Sequence, residues 1–239
     1  MALTYNTFVT DLANFLTVPS TDPNYVLALP NIIDDAEQRL YRELDLLSTV
    51  TRATGLLTTN NRNFTLPTTT PNGPFVVVEE FNVITPAGTV VADNGTRISL
   101  LPVSKEYLDM VYNSVAGAGV PSMFAPINQD EWIVGPWPDA GYSVEVVGTI
   151  RPLPLSNSNQ STFLTTYLPD VFFAAALVMS SGYQMNFSAT GDNPAQAMSW
   201  ETHVKTLISS AMVEEMRKKF GSQGWSSKQP DPIATPPRS

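Results

Sequence analysis

The sequence predicts an α+β fold: an antiparallel bundle of about four helices with an inserted β-rich subdomain and an extended C-terminal arm. Three observations predict it. Apolar residues recur at helical spacing near both ends of the chain, short β-rich runs separated by turn residues fill the middle, and the final segment is rich in proline and lacks periodicity. The 239 residues, 43% of them hydrophobic, suffice for one large domain or two small ones with real cores.

The N-terminal segment, residues 1–48, is predicted to form two amphipathic helices of the bundle. The first runs from Thr4 to Thr17 and stops before Pro19. The second begins near Asn31 and carries acidic residues in its first turns, where the helix dipole favours them. No charged leader precedes the apolar residues of the N-terminus, so we expect neither a signal peptide nor a membrane span.

The central segment, residues 49–153, is predicted to be an inserted β-subdomain, either a small sandwich or a barrel-like sheet. Its short runs are separated by turn signals such as Asn60-Asn61 and Asp93-Asn94-Gly95. From Tyr142 to Thr149, inward and outward residues alternate, which is typical of a strand with one buried face. Residues from Ser104 to Asn113 are expected to form a helical turn between strands.

Residues 162–220 are predicted to return to the helical bundle. A segment that starts at Pro169 is apolar nearly all round, so we expect it to be the buried central helix. The chain then breaks at residues 191–193, and a last helix runs from Pro194 to Lys219 and ends at Gly221. The inward stripe of that helix is expected to be Trp200, Val204, Leu207 and Ala211.

The arm, residues 221–239, differs from the rest of the chain in composition and charge. From Arg217 onward there are five basic residues and one acidic residue, a charge of +4, whereas the whole chain carries −9 and the preceding part therefore −13. An acidic body argues against the usual basic nucleic-acid surface. One interpretation of this charge is that it keeps the free chain soluble.

The residue inventory excludes several kinds of chemistry. The absence of cysteine rules out disulfides, thiolate nucleophiles and cysteine metal sites. The single histidine, His203, excludes a multi-histidine metal site, and we expect it to be a half-exposed helix residue. We therefore expect no enzyme activity, no metal and no cofactor.

Three residue groups admit a functional interpretation beside a structural one. Paired carboxylates or hard-cation ligands are one interpretation of two acidic groups, Asp130 with Glu131 and Asp34 with Asp35 and Glu37. We expect these residues to be solvated acids of a loop and of a helix start instead. A sugar-binding platform is the alternative for a set of aromatic residues that we expect in core packing or a subunit contact. These residues are Trp132, Trp137 and Tyr142.

Several segments together resemble the head-to-tail adaptor proteins of short-tailed and related tailed bacteriophages. They include LPNIIDDAEQRLYRELDLL, RNFTLP, VVVEEFNVITPAGT, IVGPWPDA, YSVEVVGT, TYLPDVF and KKFGSQGWSSKQP, and they span nearly the whole chain. The resemblance implies a homo-oligomeric ring, commonly twelve-fold, with the portal protein above, the tail nozzle or tube below and genome DNA passing through its lumen. It implies a virion protein of the head–tail junction, made in the host cytoplasm.

The resemblance also implies a role for the arm, which corresponds to Ser222 through Ser239 and docks on the portal. A proline-rich segment of this kind can add contact area on a partner, with an aromatic residue as anchor. The residues expected to dock are Trp225, Lys228, Pro230, Pro232, Ile233, Pro236, Pro237 and Arg238.

Two rival functions remain at this level. One is another tail component, such as a stopper or nozzle subunit, which would differ in the partner ring that co-purifies with it. The other is a β-module that binds host-surface glycans through Trp132 or Trp137.

Overall fold

The computed structural model describes residues 3–67, 73–183 and 194–222, and within these ranges the protein combines helices and sheets. The helices are α1 (Tyr5–Phe15), α2 (Pro23–Glu43), α3 (Lys105–Val111), α4 (Phe163–Tyr167), α5 (Pro169–Tyr183) and α6 (Pro194–Ser222). The strands are β1 (Val50–Leu57), β2 (Asn63–Thr65), β3 (Phe75–Thr85), β4 (Thr96–Ser99), β5 (Leu101–Pro102), β6 (Met123–Pro126), β7 (Glu131–Gly135) and β8 (Tyr142–Ile150). The predicted mixture of α and β structure is confirmed.

Helix α2 begins at Pro23, so the predicted start near Asn31 was wrong. A carboxylate oxygen of Asp22 caps its N-terminus by accepting hydrogen bonds from the next two available backbone N–H groups, at 2.9 and 3.0 Å. Pro30 lies inside the helix, where it cannot donate a backbone hydrogen bond. The helix nevertheless continues through it, because Tyr25 and Leu29 are buried on the core side.

This earlier start moves the three acids Asp34, Asp35 and Glu37 to the middle of α2. Their predicted placement in the first turn of the helix was therefore wrong. The N-terminus of the helix is formed instead by Asp22 as its cap, with a proline at the first helical position.

The predicted central helix is confirmed as α5. It contacts α1, α2, α4 and α6, and most of its side chains are buried in one hydrophobic core that the helices share. Phe172 is fully buried, and its ring lies 4.9 Å from that of Phe8 on α1. On α6, Val204 and Ala211 are buried and Trp200 and Leu207 are partly buried against this core, so the predicted inward stripe is also confirmed.

The strands form two four-stranded sheets. In the first sheet the order is β1-β8-β3-β4 and all pairs are antiparallel; in the second the order is β2-β7-β6-β5, with β5 and β6 parallel. The first and last strands are neighbours, since Val50 pairs with Thr149 and Leu57 with Tyr142. The chain therefore enters and leaves the β part, residues 50–150, at adjacent positions of one sheet.

Both sheets contribute to a second hydrophobic core that is rich in aromatic rings. Phe81 on β3 is 1% exposed, and its ring centroid lies 5.1 Å from Phe64, 5.4 Å from Phe124 and 5.6 Å from Trp132. These three partners belong to the second sheet, so aromatic packing holds the two sheets together.

Strand β8 shows the predicted alternation with one departure. Val144 and Val146 point into the core, but Glu145 on the other face is also buried. Arg97 covers it with hydrogen bonds at 2.9 and 3.1 Å, and Arg52 adds a third at 3.3 Å. The hydrogen bonds from Arg97 hold the pKa of Glu145 below its ordinary value, so this carboxylate stays charged.

Some short elements depart from the prediction or were not predicted. The chain between Thr96 and Pro102 divides at Leu100, with β4 in the first sheet and β5 in the second. Strand β6 and helix α4, which is opened by a capping box at Thr162, had not been predicted. Helix α3, with Ser104 as its N-cap, is the expected helical turn. Helix α6 continues to Ser222, past the predicted end at Gly221.

Candidate assembly surfaces

The aromatic residues considered as a sugar-binding platform are either buried or held by contacts with other residues of the chain. Trp132 is 8% exposed, and its ring stacks on Phe124 at 4.9 Å with the planes 3° apart. Tyr142 is also buried, and its hydroxyl donates to Asp139 at 2.6 Å. A sugar platform needs an open ring face, and these two rings do not offer one; core packing is confirmed for both.

Trp137 is held in place by a hydrogen bond and a cation–π contact. Its indole Nε1 donates to the carbonyl oxygen of Tyr112 at 2.8 Å, and the guanidinium of Arg62 lies 5.2 Å from the ring centroid. The structure therefore does not bring Trp132, Trp137 and Tyr142 together as an exposed surface, and the geometric basis for glycan binding through Trp132 is lost.

The remaining polar candidates form no site. His203 is exposed on α6 and meets the edge of Trp200 at 5.8 Å. Asp130 is exposed just before β7, and Glu131 is exposed as its first residue. Within the described ranges, no group of three or more metal-ligating side chains comes together. None of the described helices combines the length and apolar character that a membrane crossing requires.

Glu37 is a buried carboxylate, so the prediction that it is a solvated acid was wrong. It is 3% exposed and accepts from the backbone N–H of Leu155 at 3.2 and 3.4 Å. Burial raises its pKa to about 7, the hydrogen bond from Leu155 opposes this rise, and the charge of Asp34 adds to it. The chain leaving the β part is thus fixed to α2 by a group that titrates near neutrality.

A second buried carboxylate, Glu215 on α6, holds the chain that enters the β part. One of its oxygens accepts from the backbone N–H of Leu47 at 3.2 Å, and Lys218 pairs with the other at 2.7 Å. Both connections between the helices and the sheets therefore end on a buried glutamate. This arrangement fixes how the β part is attached to the helices.

The side of α6 that faces away from the core is uncharged over four turns. The exposed residues there recur at helical spacing, and we call them the α6 face: Thr202, Thr206, Ser209, Val213 and Met216. The outer face of a surface helix normally carries charged residues. Here Val213 is 42% and Met216 is 51% exposed, and the neighbouring Met212 is 40% exposed. Met198, one turn before Thr202, is 71% exposed.

The threonine hydroxyls on the α6 face are already used within the helix. Thr202 donates to the carbonyl oxygen of Met198 at 2.9 Å, and Thr206 donates to that of Thr202 at 3.0 Å. Their methyl groups therefore contribute to the outward surface, which extends about 20 Å along the axis. A partner that covers it does not have to replace these two hydrogen bonds.

The first half of α2 has a second exposed surface of this kind. We call it the α2 face: Val26, Leu27, Pro30 and Asn31. Leu27 is 78% and Val26 is 52% exposed. The next exposed residues along the helix are Asp34 and Asp35, so the uncharged surface ends at two acids.

The residues predicted to dock on the portal lie outside the described residues, because these end at Ser222. The assignment of Trp225, Lys228 and the rest of the arm stays a prediction. The α6 and α2 faces and the two buried glutamates were not predicted from the sequence. The spacing of uncharged residues from Thr202 to Met216 was a signal that could have revealed the α6 face.

Within the described ranges, the polar candidates are dispersed or engaged inside the protein, whereas the uncharged α6 and α2 faces are exposed. The family model for the SU10 adaptor protein matches residues 3–224. The match covers most of the chain, so the chain belongs to this family, and the resemblance to phage head-to-tail adaptors is confirmed. A phage adaptor is a structural component of the virion. No curated protein matches the chain.

Proposed function

We propose that the protein is the head-to-tail adaptor of a tailed phage, and that it assembles as a twelve-fold ring between the portal and the tail nozzle. The observation that carries this proposal is the adaptor-family match over residues 3–224, which includes every helix and strand described. In this proposal the chain is not an enzyme. Its role is to connect two virion components, and the ring is stable because a modest contact between neighbouring subunits is repeated around it.

The proposed architecture assigns a task to each part of the chain. The helices pack as an antiparallel bundle and form the contacts around the ring, and the β part is an inserted subdomain. The arm after Ser222 docks on the portal, where Trp225 is the apolar anchor. The charge of the arm supports this assignment, since Lys228 and Arg238 outnumber Asp231 in an otherwise acidic chain.

The lumen of the proposed ring passes the genome. The −13 charge of the part before Arg217 supports a wall that repels phosphate groups, so that DNA slides without adhering. Replacing the acids that a ring structure places in the lumen with lysine should slow genome ejection. Unchanged ejection would refute this role for the charge.

The experiment that tests the proposed function combines the purified chain with portal rings from the same phage. Native mass spectrometry should show a complex in which one portal ring holds a defined number of chains, and cryo-electron microscopy should show a second ring beneath it. A chain that never associates with the portal, or that co-purifies with the tail nozzle alone, would overturn the adaptor assignment in favour of another tail component.

A further inference from the structure

The α6 face and the α2 face differ in composition, and a closed ring needs two different surfaces that fit each other. A ring forms from head-to-tail contacts, in which one patch of each subunit meets a different patch of the next. We infer that the α6 face of one copy packs against the α2 face of the next copy. This inference rests on the proposed function, because it names the surfaces that form the ring.

The apolar part of the contact supplies its stability. Leu27 and Val26 on one side, and Val213 and Met216 on the other, are each at least 42% exposed in the single chain. Covering such side chains with apolar atoms of a neighbour is favourable, at about 25 cal/mol for each Å² removed from water. Neither face carries a charge that has to be desolvated on contact.

Charge complementarity favours a second copy as the partner. Asp34 and Asp35 follow the α2 face, and among the described residues neither forms an ion pair. Arg217 follows the α6 face in the same chain direction, is exposed, and likewise forms no ion pair within the described ranges. Opposite charges at the same end of two uncharged faces fit each other.

The spacing of these residues sets the orientation of the two helices. Leu27 and Asp34 are separated by about 10 Å along α2, and Val213 and Arg217 by about 6 Å along α6. The long side chain of Arg217 can span the difference. When the two helices run parallel, the apolar residues meet and Arg217 lies opposite the two acids; in the antiparallel arrangement the charges lie at opposite ends.

Cysteine cross-linking tests the contact, because the chain contains no cysteine of its own. The single variants Leu27→Cys and Val213→Cys are mixed, allowed to assemble on portal rings from the same phage, and treated with a short bismaleimide. The mixture should give a covalent dimer of the chain at a yield at least tenfold above that of either variant alone. The matched control mixes Val213→Cys with Val90→Cys, a residue 86% exposed that lies on neither face, and should give no such increase.

Different outcomes separate this inference from the proposed function. Rings that form on the portal without the Leu27→Cys and Val213→Cys dimer overturn the inference and leave the adaptor function standing. Dimers from each variant alone also overturn it, since they indicate contacts between like faces. Failure of the chain to associate with the portal overturns both.

Charge reversal gives a second, independent readout. Arg217→Glu should weaken ring formation about tenfold, because it places like charges opposite each other. The double change Asp34→Lys and Asp35→Lys should do the same, and combining all three changes should restore assembly. Circular dichroism checks that each variant is folded. If the combined variant assembles no better than the two parents, the predicted pairing is wrong.

Discussion

At the scale of single residues, residue polarity predicts the burial of some side chains, whereas tertiary packing decides the burial of others. For Trp132 and Tyr142 we predicted core packing or a subunit contact, and the structure shows core packing, because each lies on the buried face of its strand. Glu37 could not be predicted as buried. Its neighbours Asp34 and Asp35 are exposed, and only the fold brings the N–H of Leu155 to its carboxylate.

The raised pKa of Glu37 predicts that stability depends on pH. Its pKa of about 7 exceeds the ordinary value of 4.5, so between these two values the folded protein keeps a proton that the unfolded chain releases. Stability should therefore fall as the pH rises through this window, by up to about 3 kcal/mol above pH 7. Glu37→Gln keeps an acceptor for Leu155 and should remove this loss.

Urea unfolding at pH 5 and pH 8 measures the effect. The variant should match the wild type at pH 5 and be more stable at pH 8. Asp11→Asn, which changes an exposed acid on α1, is the control that should keep the wild-type difference between the two pH values. An equal dependence on pH in Glu37→Gln and wild type would contradict the role assigned to this carboxylate.

Gly148 predicts a steric limit within the first sheet. A Cβ atom there would lie 2.2 Å from the carbonyl oxygen of Val77 and 2.9 Å from the Cα of Val78, both backbone atoms of the paired strand β3. Gly148→Ala should therefore reduce the free energy of unfolding by about 2 to 3 kcal/mol. Gly141→Ala is the control, since its nearest contact is at 3.8 Å. Equal stability of the two variants, measured by denaturant unfolding, would contradict this packing.

At the scale of elements, apolar periodicity predicted helix cores better than helix ends. Helix α5 was predicted because its residues are apolar nearly all round, and the strands because their runs alternate. The start of α2 was missed because Pro30 is a strong local signal for a helix boundary. That signal is overridden by tertiary burial of Tyr25 and Leu29, which no local rule weighs.

Pro30 provides a test at this scale. Pro30→Ala restores a backbone donor in the interior of α2 and should raise the free energy of unfolding by about 1 to 3 kcal/mol. Pro23→Ala is the matched control: at the first helical position the missing N–H would have no partner in the helix, so the change should be small. A variant at Pro30 that is less stable than the wild type in thermal unfolding would show that the proline ring itself stabilises the fold.

At the scale of the whole molecule, the sequence predicted the order of helices, strands and helices, and the family match confirms the adaptor resemblance. The candidate contact faces were not predicted. The outward face of a helix can be identified only when its core side is known. In α6 this is difficult from the sequence, because both sides carry uncharged residues. Val204 lies in the core, whereas Val213 is 42% exposed, although the same residue type occupies both positions.

Truncation after Ser222 tests the division of tasks in the whole subunit. The described cores contain no residue beyond Ala211, so the shortened chain should fold with an unchanged circular dichroism spectrum and thermal midpoint. It should no longer bind portal rings in a co-sedimentation assay, because the proposed anchor Trp225 is gone. Trp225→Ala in the full chain is the milder variant and should weaken binding without abolishing it. Full binding by the truncated chain would refute the docking role of the arm.

The adjacency of β1 and β8 affects how the sequences and folds of related subunits can diverge. Both chain crossings into residues 50–150 lie side by side, and each is fixed by one glutamate that belongs to the helices. Another β-fold whose first and last strands are neighbours would satisfy the same two attachment points. We therefore expect related subunits to differ most in this region while the helical scaffold stays the same.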